Sequence, residues 1–544
     1  MKGVTAVAQI LKKEGIKTII GYPVNHVLEA SAVEDIRPII VRQERVGLHM
    51  ADAMSRTTSG QTLGVFAMQH GPGSENAFGG VAQAFGDSVP LLVIPGGYPR
   101  RIANIPPNFS SALNMRHIAK SVETVNFADQ IPDAMRRAFM QIRNGRPRPA
   151  IVEIPIDVMA EELPDNFSYT PSIATKYGPD PKDVTKVAEV LVNAKRPVIY
   201  AGQGVHYAQA WRQLRELAEL LAIPTTTSLQ GKSAFPENHP LSLGSGGRSY
   251  SKQLNHFLQN SDVIFGIGCS FTITNYGLTM PKGKTFIQAT LDAADLSKDI
   301  PVQHVLVGDA GLTLDALLAE VRGMLKGQKR DSAPVAKEIA TLNAEWMKDW
   351  SPRLTSAETP LSPYRVIWDL LHTVDVRNTI ITHDAGSPRD QISPFWQSID
   401  PLTYIGWGKT TQLGYGLGLA MGAKLAHPDK LCINVWGDAA IGFTGMDFET
   451  AVRERIPILS VLLNNFSMAI ELKVMPVSTE KYRSTDISGN YAEFAKALGG
   501  HGERVTSPNE IIPAIKRAIK QTQEGKPALL EFITQKEVTI SLPK

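Results

Sequence analysis

Asp438 and Asn465 stand 27 positions apart in the stretch LCINVWGDAAIGFTGMDFETAVRERIPILSVLLNNFSM, residues 431–468. One carboxylate, one amide oxygen and nearby backbone carbonyls are hard oxygen ligands of the kind Mg²⁺ takes. That ion completes its octahedron with water and substrate phosphates. The chemistry implied is the holding of a diphosphate through a metal, and it requires the two side chains to meet. LCINVW is an apolar run that closes on the turn Gly437-Asp438-Ala439-Ala440. GMDFETAVRERI reads as a helix, and ILSVLL is a second apolar run ending in Asn464-Asn465. Strand, turn, helix, strand predicts a parallel βαβ unit, which sets its two strand ends side by side.

Other residues could move protons. Glu44 follows the run RPIIVRQ, at a strand's C-terminal end, where sites in open α/β sheets cluster. The same carboxylate also reads as a helix N-terminal residue held by the dipole. Gln69-His70-Gly71-Pro72-Gly73 closes the run LGVFAM. Its glycines let backbone turn sharply or approach a ligand. An imidazole there is suited to shuttling protons, or is structural. His26 follows the strand end Gly21-Tyr22-Pro23 in the same way. Three polar candidates at three strand ends of one sheet strengthen one another.

Two glycine pairs are set aside. Gly202-Gln203-Gly204 lacks the third glycine of a dinucleotide fingerprint, because position 207 is Tyr207. Gly266-Ile267-Gly268 fails likewise at Phe271. The five glycines from Gly406 to Gly418 need a reason, since each costs about 1 kcal/mol in a helix relative to alanine. Close helix packing is the expected one; backbone brought against a ligand is the other.

The elements that must position these residues alternate. Residues 1–165 read as helix and strand in turn: VTAVAQILKKEG, KTIIGYP, RPIIVRQE, VGLHMADAMSRTTS, LGVFAMQHGPG, SENAFGGVAQAFGDS, PLLVIPGG and finally AIVEIPID. Such alternation with short turns predicts a doubly wound parallel sheet. A polar stretch, PDNFSYTPSIATKYGPDP, reads as a linker. Residues 182–330 repeat the style, with strand-like PVIYAGQGV, SDVIFGIGCSF, KTFIQATLD and HVLVGD. A boundary is expected in KGQKRDSAPVAKE. A third α/β unit, 360–535, holds TIITHDAG, the glycine-rich helix QLGYGLGLAMGAKLA, the opening stretch and PALLEFIT. The fold class expected is therefore α/β, with three doubly wound domains.

At 544 residues, three domains are in proportion. A hydrophobic share of 43% and a charged share of 20% fit an ordinary globular chain. A net charge of +3, with no basic run, argues against nucleic acid as a partner. No apolar run approaches the roughly 18 residues that span a bilayer, so no membrane partner is expected. The N-terminus lacks the apolar core of a signal peptide. The two cysteines, Cys269 and Cys432, read as buried thiols of a reducing cytoplasm.

Together these stretches resemble the thiamine diphosphate (ThDP) enzymes of the acetolactate synthase superfamily, over almost the whole chain. GDAAIGFTGMDFETA through NN is similar to the family's metal signature, AFGDSVPLLVIPG to its DS-P segment, and RQE carries its glutamate. Ala439 stands where many members have glycine. The resemblance implies pyrimidine-binding, middle and diphosphate-binding domains, in a homodimer or homotetramer with active sites between subunits. It implies that Asp438, Asn465 and the Ser467 carbonyl bind Mg²⁺. Gly437, Ala439, Ala440 and Met468, with Gly386 and Ser387, would serve the diphosphate beside a helix N-terminus. Leu413 would hold the cofactor bent, and the carbonyl near Thr411 would accept from its amino group. Glu44 would bond the pyrimidine and promote formation of an ylid. The ylid attacks a carbonyl and then serves as an electron sink for the carbanion.

His26 matches an acid/base histidine of benzaldehyde lyase-like members, and Gln69 and His70 a substrate-facing region. The function expected is a lyase or carboligase (a transferase in the acetolactate synthase manner), acting on a 2-oxo acid, 2-hydroxy ketone or acyloin. The alternatives are a 2-oxo acid decarboxylase, a 2-hydroxyacyl-CoA lyase or oxalyl-CoA decarboxylase-like enzyme, and a non-catalytic ThDP-binding homologue. FAD is not expected, because the place of the family's arginine-bearing motif reads Gly268-Cys269-Ser270-Phe271.

Overall fold

The computed structural model describes residues 1–164 and 167–543. Asp165 and Asn166, part of the expected linker, lie outside the described residues; the rest of that linker carries no helix or strand until Pro181, which opens the helix Pro181–Asn193.

Three six-stranded sheets organise the chain, and every strand pair in them is parallel. The first contains β1 (Thr18–Gly21), β2 (Arg37–Ile40), β3 (Gly64–Met68), β4 (Leu91–Gly97), β5 (Ser121–Thr124) and β6 (Pro149–Pro155), in the order β2-β1-β3-β4-β6-β5. The second contains β7 (Val198–Ala201), β8 (Thr225–Ser228), β9 (Ser242–Gly246), β10 (Val263–Ile267), β11 (Thr285–Thr290) and β12 (His304–Val307), ordered β12-β11-β10-β7-β8-β9. The third contains β13 (Thr379–His383), β14 (Tyr404–Ile405), β15 (Leu431–Gly437), β16 (Leu459–Asn464), β17 (His501–Val505) and β18 (Ala528–Ile533), ordered β14-β13-β15-β16-β18-β17.

Each order contains a reversal of winding direction, and ligands of open α/β sheets bind in the crevice at such a reversal. In the first sheet it lies between β1 and β3, in the third between β13 and β15. In the second sheet it lies between β7 and β10, where Gly202 and Gly204 meet Gly268. A Cβ on Gly202 would stand 2.4 Å from the Gly268 carbonyl, so these glycines permit two loops to cross.

The first and third units share an apolar core in which Leu48, Phe66, Trp407, Leu419 and Trp436 pack together. Its seam is a helix pair, Glu44–Arg56 along Tyr415–Ala426. The glycines explain the closeness. A Cβ on Gly418 would lie 2.5 Å from the His49 Cβ, and one on Gly422 2.0 Å from the Met50 carbonyl oxygen. Packing is thus the reason for Gly418. Gly414 lies outside the helix, as its N-cap, with φ +84. Gly422→Ala should therefore cost about 3 kcal/mol, the upper end for overpacking a core, read as a lower midpoint in denaturant unfolding. A buried polar knot closes the same seam: Asp52 accepts from Arg56 Nε at 2.8 Å and from the Tyr415 hydroxyl, and Arg56 donates to the Gly406 carbonyl at 2.9 Å.

Some expectations need correction. The turn Gly437–Ala440 is in fact the first turn of a helix, Asp438–Thr444, which a 3₁₀ turn (Gly445–Asp447) separates from a second helix, Phe448–Arg453. The expected boundary around 326–338 is half helix, because a 22-residue helix, Ala333–Leu354, begins inside it. Buried Trp346 and Trp350 anchor that helix against Phe395.

Candidate active site

At the reversal of the third sheet, β15 delivers Asp438 and its neighbour β16 delivers Asn465. The Ser467 amide donates to both, to Asp438 Oδ2 at 3.1 Å and to Asn465 Oδ1 at 3.0 Å. Phe466, at φ +57, turns the chain so that this amide points back. The expected oxygen corner is therefore assembled. Asp438 is 3% exposed and has no cationic partner among the described residues. Burial pushes its carboxyl upward, against donation from surrounding backbone amides. A desolvated carboxylate without a counter-ion is costly, and a bound cation removes that cost. Ser467 Oγ is buried and unbonded in the same corner. The donor set fits Mg²⁺.

The other candidates of this unit lie in loops and at helix starts of the same sheet. Gly386, at φ +85, lets the chain after β13 turn into the helix Ser387–Ile392, and Ile470 lies against it. Ala439 and Ala440 sit in the first turn of the helix begun by Asp438, a terminus that favours an anion, and the Ala439 amide donates to Asp438 Oδ1 at 2.9 Å. Thr411 and Leu413 precede the Tyr415 helix.

A residue that sequence reasoning missed ties these loops together. Asp384, fully buried, accepts from the Ala385 amide at 2.8 Å, Gly414 at 2.9 Å and Gly416 at 2.9 Å. It thereby fixes the Gly386 loop against Leu413. Burial moves its carboxyl up to about 6. An aspartate directly after a strand and two residues before a glycine was the available signal.

The second group lies at the ends of β1, β2 and β3. Glu44 opens its helix and is 5% exposed. Asn76 Nδ2 donates to Glu44 Oε2 at 3.2 Å, and burial raises its carboxyl above the usual range. Gln69 meets Glu44 around Gly73, where a Cβ would lie 3.1 Å from Gln69 Cβ and 3.4 Å from Glu44 Oε1. His70 packs edge-on against Tyr98 at 4.4 Å, with Nδ1 buried and unbonded; burial lowers its pKa and so favours the neutral ring. His26 opens the helix His26–Val33 and is exposed. Among the described residues no hydrogen bond joins His26, Glu44, Gln69 or His70 to the Asp438 corner.

A cavity of about 1400 Å³ lies elsewhere, at the reversal of the middle sheet. Tyr200, Gly268, Phe271 and Lys409 line it, and none of the candidate residues does.

Comparison with known proteins agrees with this layout. The family model for the thiamine pyrophosphate enzyme N-terminal TPP binding domain matches residues 1–122, the central-domain model 184–317 and the C-terminal TPP binding domain model 384–532. The chain is 30% identical to a probable acetolactate synthase large subunit of Methanocaldococcus jannaschii, over 98% of this chain and 92% of that one. It is 27% identical to glyoxylate carboligase of Escherichia coli O157:H7, over 100% and 94%. The structure of benzoylformate decarboxylase from Polynucleobacter necessarius superposes with a TM-score of 0.82 at 20% identity, covering 99% of this chain and 100% of that one, a likeness of fold.

Proposed function

The chain belongs to the thiamine diphosphate enzymes of the acetolactate synthase superfamily, and on that premise we propose that it is a Mg²⁺-dependent lyase or carboligase. It makes or breaks a carbon–carbon bond beside the carbonyl of a 2-oxo acid, 2-hydroxy ketone or acyloin. The observation that carries the reading is the buried Asp438 carboxylate, uncompensated in a corner shared with Asn465 and Ser467.

Asp438, Asn465 and the Ser467 carbonyl would hold Mg²⁺. Backbone groups of Gly437, Ala439, Ala440 and Met468, with Gly386 and Ser387, would hold the diphosphate. Leu413 would keep the cofactor bent, and the carbonyl near Thr411 would accept from its amino group. Bound ThDP supplies a nucleophilic carbon and an electron sink. Glu44 exchanges a proton with the pyrimidine ring. As the family resemblance implies, Glu44 of one subunit is assigned to the Asp438 corner of another, in a homodimer or homotetramer. His26, Gln69 and His70 hold the substrate oxygen and move its proton. A neutral His70 ring offers a nitrogen that can accept that proton.

Product analysis tests the reading. With ThDP, Mg²⁺, a 2-oxo acid and an acceptor aldehyde, a hydroxy ketone is expected. Free aldehyde alone assigns a simple decarboxylase, and cleavage only of a 2-hydroxyacyl-CoA assigns the acyl-CoA lyase.

A further inference from the structure

Val24 adopts φ +74 and is the one β-branched side chain among the described non-glycine residues with positive φ. Branched residues avoid this region because Cβ substituents crowd the backbone, and such strain persists only where the surroundings over-determine it. Here Asn25 imposes it. Asn25 is 5% exposed, and its Nδ2 donates to the Met68 carbonyl at 2.8 Å and the Ile94 carbonyl at 3.0 Å. Its Oδ1 accepts from Val27 N at 3.0 Å. One side chain thus lashes the loop after β1 to the end of β3 and the middle of β4, and fixes the backbone on either side. Glycine would adopt the same φ freely. The isopropyl group gains no burial in return, being 64% exposed in the chain. Whatever repays the strain therefore lies outside the chain's own packing. Val24 sits two residues before His26, beside the crevice between β1 and β3 that Gln69 and His70 flank.

We propose that Val24 determines substrate specificity: its isopropyl group walls that crevice and limits the size of the group borne on the reacting carbonyl. The inference rests on the lyase or carboligase reading above. The test compares wild type, Val24→Gly and Val24→Ala, with kcat/KM measured for pyruvate (a methyl group) and benzoylformate (a phenyl group). In both variants the benzoylformate-to-pyruvate ratio should rise by about tenfold or more, the scale of one to a few carbon atoms in an apolar pocket. Tm should rise only in Val24→Gly, which alone relieves the strain. Turnover by wild type with the ratio unchanged in both variants overturns the proposal and leaves the function standing. An unchanged ratio with an altered oligomeric state also overturns it, assigning Val24 to a subunit contact. No ThDP-dependent turnover by wild type on 2-oxo acids, 2-hydroxy ketones and acyloins overturns both.

Discussion

Glu44→Gln lowers ThDP-dependent turnover by about 10²-fold or more, the scale of a lost acid–base group, while the chain stays folded. Glutamine keeps the shape and can still accept from Asn76, but it cannot exchange a proton. The native carboxyl is 5% exposed and burial raises its pKa. A raised acid binds its proton more tightly in the folded chain. Its contribution to stability is therefore full below the unfolded value and lost as pH rises through the folded one. Above 4.5, its ordinary value, the wild type increasingly carries an ionised, desolvated carboxylate that glutamine does not. Thermal melts should then place the variant's Tm at or above wild type at pH 8, and nearer to it at pH 5. Full turnover in the variant at saturating ThDP and Mg²⁺ would remove Glu44 from the mechanism.

Asp438→Ala should weaken ThDP affinity by about 10²-fold at fixed Mg²⁺, at least the loss seen when groups supporting a metal site are removed. Calorimetric titration reads this directly. The apo chain should not lose stability, for two reasons. The variant removes a buried carboxylate without a counter-ion, and the Ser467 amide retains Asn465 Oδ1 at 3.0 Å. The rise in Tm that ThDP and Mg²⁺ give the wild type should shrink, since ligand stabilisation follows binding to the folded state. An unchanged affinity would place the metal elsewhere.

Local pattern carried far in this chain, and its failures share a cause. β15 and β16 were legible because LCINVW and ILSVLL are apolar on both faces, as buried parallel strands must be. β8 (TTTS), β9 (SLGSG), β5 (SVET) and β17 (HGERV) lack that run, and only pairing with a neighbour makes them strands. The Ala333–Leu354 helix hid behind a polar, proline-containing start, and its tryptophans find their partner Phe395 far along the chain. The site divides the same way. Asp438 and Asn465 were readable from spacing. Asp384's hold on Gly414 and Gly416, and Asn25's on Met68 and Ile94, join separate elements and leave no local trace. Nor does sequence foretell a left-handed Val24, a conformation its own side chain opposes.

On the function proposed, Glu44 and the Asp438 corner serve one thiamine diphosphate. The most direct measurement is the rate at which the C2 proton of enzyme-bound ThDP exchanges with D₂O, followed by quenching and proton NMR. Strong acceleration over free ThDP in wild type, lost in Glu44→Gln with the cofactor still bound, is the result expected. Exchange at the rate of free cofactor in the wild type, with ThDP and Mg²⁺ bound, would contradict it.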